Sequence, residues 1–101
     1  MSRIYQDKHN RLNVEDLEIE LYEMDGQVIA SCKLLELVTC GKDFDDACEK
    51  FDDACKLFLS YLRDKGKLNL ALQELGWEKT KKQYNSPTQL GTRKIQVSIP
   101  A

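Results

Sequence analysis

The sequence predicts an α+β fold: a small antiparallel sheet of three to four strands, covered on one face by one long amphipathic helix, in the order β-β-β-α-α-β. Leu17, Ile19 and Leu21 alternate with Glu18, Glu20 and Tyr22, the period of two that marks a half-buried strand. Asp25-Gly26 is a dipeptide suited to a two-residue hairpin. Phe44, Ala47, Cys48, Phe51, Ala54, Cys55, Phe58 and Leu62 recur at spacings of three and four, the apolar stripe of a helix that must cover something.

The first strand is expected from Leu17 to Met24, and beyond the turn Gln27 to Cys32 forms the second, with Val28, Ala30 and Cys32 on one face. The β-branched run Leu37-Val38-Thr39-Cys40 forms a third, closed by Gly41. Asp43 can cap the long helix, and Asp45 and Asp46 place negative charge at the positive end of its dipole. The helix ends near Asp64-Lys65, with Gly66 as a left-handed cap. A short helix follows between Lys67 and Leu75, then Gly76, and Trp77 is expected to pack under it. No regular element is expected from Glu78 to Thr92, where Asn85-Ser86-Pro87 reads as a breaker. A final strand from Arg93 to Ile99, apolar at Ile95, Val97 and Ile99, is expected to join the sheet or pair with another chain.

A chain of 101 residues suits one domain with its own core. Residues 1–15 read as a polar N-terminal extension and residues 16–101 as the domain. No segment approaches the roughly 20 apolar residues of a membrane span. The opening MSRIYQDKHNRLNVED has no apolar core for a signal peptide, so the expected compartment is the reducing cytoplasm. Cys32, Cys40, Cys48 and Cys55 form no CxxC pair and interleave with apolar positions, which suggests packed thiols more than a zinc site or disulfides.

Little in the chain suggests catalysis. The single histidine, His9, lies in the polar N-terminal stretch, where a general base is poorly held. The five glycines are scattered and make no phosphate-cradling loop. The carboxylates of the long helix face outward from one element, with nothing converging on them to make a metal cleft. The expectation is a binding protein that is not an enzyme, with neither cofactor nor metal.

Charge is unevenly spread. Residues 15–55 hold thirteen acids and three bases, and residues 56–101 nine bases and three acids, although the net charge is only −2. Such segregation favours a polar partner surface over diffuse nucleic-acid affinity. Asp45, Asp46, Glu49, Asp52 and Asp53 make up the acidic candidate surface. Lys79, Lys81, Lys82, Arg93 and Lys94, with Tyr84 as a base-stacking ring, make up a basic candidate for RNA.

From Ile19 to Trp77 the residues resemble the HicB-like family, antitoxin-type domains with a partial ribonuclease H fold. The hairpin at Asp25-Gly26, the stretch Val28-Ile29-Ala30-Ser31-Cys32 and the segment Leu37-Val38-Thr39-Cys40-Gly41 are similar to its three strands in order. Asp45-Asp46-Ala47-Cys48-Glu49-Lys50-Phe51 resembles its acidic-alanine helix start, and Lys65-Gly66-Lys67-Leu68 through Leu75-Gly76-Trp77 resembles the tail of stand-alone members. One departure is Lys33, where the family usually has a proline.

The resemblance implies an antitoxin-type protein that binds and neutralises a small basic HicA-like ribonuclease, or an orphan without such a partner. It implies no nuclease activity of its own. Only about twenty-four residues follow Trp77, too few for a helix-turn-helix, so operator DNA binding is not expected from this chain. Self-association as a homodimer through Ile95, Val97 and Ile99 is expected.

Overall fold

A computed structural model describes residues 1–100 and shows an α+β molecule with two antiparallel sheets. The elements are β1 (Arg3–Gln6), β2 (Leu12–Glu15), β3 (Glu20–Met24), β4 (Gln27–Cys32), β5 (Leu37–Gly41), α1 (Phe44–Asp64), α2 (Leu68–Glu74), β6 (Glu78–Thr80) and β7 (Gln83–Asn85). One sheet has the order β3-β4-β5, the other β2-β1-β7-β6.

The three-stranded sheet follows the sequence closely. Asp25 (φ 54°) and Gly26 (φ 77°) both occupy the left-handed region, as a type I′ hairpin turn requires, and set the register Met24↔Gln27 through Glu20↔Ser31. Ala30 and Cys32 of β4 are buried towards α1, with Ala47 and Phe51 across from them in the same core. Residues 17–19, expected within the strand, precede its first paired residue.

Two reciprocal hydrogen bonds start α1. The Asp43 carboxylate accepts from Asp46 N at 2.8 Å, and the Asp46 carboxylate reaches back to accept from Lys42 N at 2.9 Å. At its end Gly66 takes φ 68°, and Lys67 N donates to Leu62 O at 2.8 Å, which satisfies a terminal carbonyl. The buried face differs from the sequence expectation at both ends. Phe44 is 58% exposed, standing over the open sheet end beside Leu21 and Val28, while Leu59, outside the expected stripe, is buried. The stripe therefore twists along the helix to meet a second sheet near its C-terminal half.

That second sheet corrects two expectations, and the C-terminal segment a third. Residues 1–15 are no extension: they form the β1–β2 hairpin, and Ile4 is fully buried in the core. One Asp7 carboxylate holds the hairpin turn by accepting from His9 N, Arg11 N and Asn13 Nδ2, while Asn10 supplies a left-handed residue. Residues 78–85, read as irregular, form the β6–β7 hairpin, whose Tyr84 lies opposite Ile4 of β1. The strand expected over Arg93–Ile99 does not form in the single chain; residues 87–100 are exposed and carry no regular structure.

Long-range hydrogen bonds close the molecule. Trp77, buried, donates from Nε1 to Leu34 O at 2.8 Å and pins the end of α2 to the β4–β5 turn. Ser2 N donates to Ser86 Oγ at 3.0 Å, and Ser86 N donates to Ser2 O at 2.9 Å, so the ends of β1 and β7 clasp each other.

Phe51 lies mid-helix and is only 4% exposed. Its truncation to Ala should cost about 3–5 kcal/mol by equilibrium denaturation, as removal of a large buried ring leaves a cavity. A loss below about 1 kcal/mol would mean that this face of α1 is not sealed.

Candidate functional site

Packing α1 by one face leaves its other face to solvent, and most of the predicted acidic residues lie there. Asp45, Glu49, Asp52 and Asp53 are all exposed. Asp45, Glu49 and Asp53 are spaced by four, so they form a ridge roughly 12 Å long at 1.5 Å per residue. Among the described residues these three join no ion pair, whereas Asp52 is bridged to Lys56 at 2.8 Å. That bridge holds the Lys56 ammonium above its usual range, chiefly through the Asp52 hydrogen bond. Asp46 belongs to the scaffold more than to the surface. Its carboxyl is held below the usual range, first by the Lys42 amide and then by Lys50 at 3.2 Å, so its lone pairs are occupied in capping the helix.

The structure brings together only part of the basic set. Lys79, Lys81 and Lys82 are exposed on one hairpin, beside a depression of about 580 Å³ lined by Tyr5, Gln6 and Gln83. Arg93 and Lys94 lie apart on the exposed C-terminal arm. Tyr84 differs from the expected stacking platform. Its ring packs against the core, and the Lys79 ammonium sits 5.6 Å from its centroid, so a stacked base would have to displace that lysine.

Two surfaces escaped sequence reasoning. A groove of about 420 Å³ runs between β2 and α1, with Arg11, Asn13, Lys56 and Arg63 at its polar rim and Leu59 at its base. Arg63 Nη1 spans it to Asn10 O at 3.4 Å. It exists only because the N-terminal hairpin folds back onto α1, which no local pattern announces. On the three-stranded sheet, the face away from α1 exposes Tyr22, Met24 and Val38. Alternation in β3 and β5 could have disclosed this face, since the sequence offers only one helix long enough to cover the sheet.

Among the described residues the thiols are not joined to one another. The four cysteines are free, with Cys32 buried, Cys48 and Cys55 half-buried and Cys40 exposed, so Cys40 departs from the expected packed thiol. Burial, with the neighbouring Cys32 thiol and Asp52 carboxylate, pushes the Cys55 thiol up to about 11, which leaves it protonated and non-nucleophilic at neutral pH. No group of three His, Cys, Asp or Glu that could hold a metal is present among the described residues. His9 sits exposed in the β1–β2 turn.

No family model, curated protein or solved structure matches this chain. No helix among the described residues is long and apolar enough to cross a membrane. The arrangement therefore has to be read from its surfaces: an acidic ridge on a rigid helix, a lysine-rich hairpin, and an open sheet face.

The Cys55 shift has a pH consequence. The unfolded thiol ionises near its ordinary value of 9.0 and the folded thiol near 11, so the unfolded state gives up its proton first. The stability this group contributes is complete below about pH 9 and is lost as pH rises through about 11. Thermal melts over that interval should show a steeper decline for the natural chain than for Cys55→Ser. Parallel declines would mean that the thiol is solvated.

Proposed function

We propose that this chain is a non-enzymatic binding protein of HicB antitoxin type, with a partial ribonuclease H-like sheet and helix. Its target is a small basic ribonuclease toxin, which the outer face of α1 covers so that RNA is kept from the toxin's site. One observation carries the reading: Asp45, Glu49 and Asp53 form an exposed ridge free of ion pairs among the described residues, on a helix fixed along its other side by the core. Acids held at fixed spacing steer a cationic partner and fix its docking register without first giving up ion pairs of their own. The resemblance of residues 19–77 to that family supports the same reading.

A second reading, an RNA-binding module, has the clustering of Lys79, Lys81 and Lys82 on one hairpin in its favour. It would give salt-sensitive retention of single-stranded RNA that weakens in Lys81→Ala/Lys82→Ala.

A small basic ribonuclease of HicA type that arrests growth should be neutralised when this chain is co-expressed with it. The variant Asp45→Lys/Glu49→Lys/Asp53→Lys should bind at least about tenfold more weakly at low salt, with its circular dichroism retained. Growth arrest unrelieved by the natural chain, or equal binding by the charge-reversed variant, would overturn the reading.

A further inference from the structure

The C-terminal arm is the longest run of the described residues whose backbone groups have no protein partner. Residues 87–100 make no hydrogen bond among the described residues, and the last backbone bond before them is Ser86 N to Ser2 O. Ile95, Val97 and Ile99 are 77%, 69% and 87% exposed. The radius of gyration of 16.1 Å exceeds the roughly 13 Å of a compact chain this long, as a projecting arm requires. An extended segment with apolar residues at every second position is a strand in want of an edge.

The fold offers four free edges, and charge and length separate them. The β6 edge spans three residues and is flanked by Lys79, Lys81 and Lys82; the β2 edge spans four and follows Arg11. The lysines of the first would repel an arm that carries Arg93 and Lys94, and the one carboxylate within the second, Glu15, is already paired with Arg3. The β5 edge, Leu37–Gly41, holds no charged residue. The β3 edge is the most acidic, with Glu18 just before it and Glu20 and Glu23 within it.

We infer that the arm of one copy adds antiparallel to β3 of a second copy, and the second arm to the first, across a two-fold axis. Direction follows from the charges. Glu20 is already bridged to Lys33 at 3.3 Å, whereas Glu23, at the far end of β3, joins no ion pair among the described residues. An antiparallel arm sets Arg93 opposite Glu23. In that register Ile95 faces Leu21, Val97 faces Ile19 and Ile99 faces Leu17, three residues that are only half-buried on the α1 side of the sheet. Ile95, Val97 and Ile99 each thereby meet an incompletely covered apolar residue, and residues 17–19 gain the strand pairing that their alternation prescribes. The six residues 87–92 can span about 20 Å, enough to cross to a neighbouring copy. This inference is independent of the toxin reading, because it concerns the purified chain alone.

Size-exclusion chromatography with light scattering at micromolar concentration should give twice the chain mass for the full chain and the single mass for a chain ending at Gly91. Val97→Asp, which keeps the length, should also give the single mass. Glu23→Lys should raise the dimer dissociation constant roughly two- to fivefold, and Glu23→Lys combined with Arg93→Glu should restore it. A monomeric full chain, a dimer that survives loss of residues 92–101, or charge exchange without recovery overturns the proposal.

Discussion

The close approach of α1 to β5 governs the rest of the molecule. A methyl group on Gly41 would collide with the backbone nitrogen of Ala47 and lie 2.8 Å from its Cα, so the first turn of the helix rests directly on the end of the strand. Only two small residues allow this, and Ala47 is itself fully buried. Once the helix start is seated and capped by Asp43, its rotation is fixed. Phe51 must then point into the sheet, and Asp45, Glu49 and Asp53 must point away from it.

The second sheet depends on the same placement. Leu59 lies at the base of the groove between α1 and β2, and Ile4, at the centre of the second sheet, shares its core. Two contacts distant in sequence tie this packing down: Trp77 to Leu34 links the chain entering the second sheet to the first, and Ser2 to Ser86 closes β1 on β7 within the second. These bonds satisfy polar groups that burial would otherwise leave unpaired, so they also select one arrangement of the hairpins over others. The surfaces available to a partner are what this packing leaves outside.

The middle of the chain was legible and its ends were not, for a physical reason. From Glu20 to Trp77 the structural signals are local: alternation in β3, the Asp25-Gly26 turn, the Asp43 cap, the Gly66 and Gly76 terminators. In β1 and β7 the signal is one core residue per short strand, Ile4 and Tyr84, and their pairing joins residues some eighty positions apart. Their turns carry no glycine; Asn10 and Lys81 take up the left-handed conformation instead. Alternation over Arg93–Ile99 reads as a strand in the sequence, yet the segment carries no regular structure in the single chain. The acidic ridge was readable because helix periodicity alone separates it from the buried stripe, whereas the groove beside β2 required the fold.

Whether α1 is seated as described can be asked at its tightest point. Gly41 has no neighbour that can yield by side-chain rotation, because the atoms in its way are backbone. Equilibrium denaturation of Gly41→Ala should show a lower midpoint at an unchanged slope, a loss of about 1–3 kcal/mol or more, since overpacking against a fixed backbone has to displace the helix. A midpoint equal to that of the natural chain would mean that α1 does not rest on β5, and the outward direction of Asp45, Glu49 and Asp53 would lose its cause.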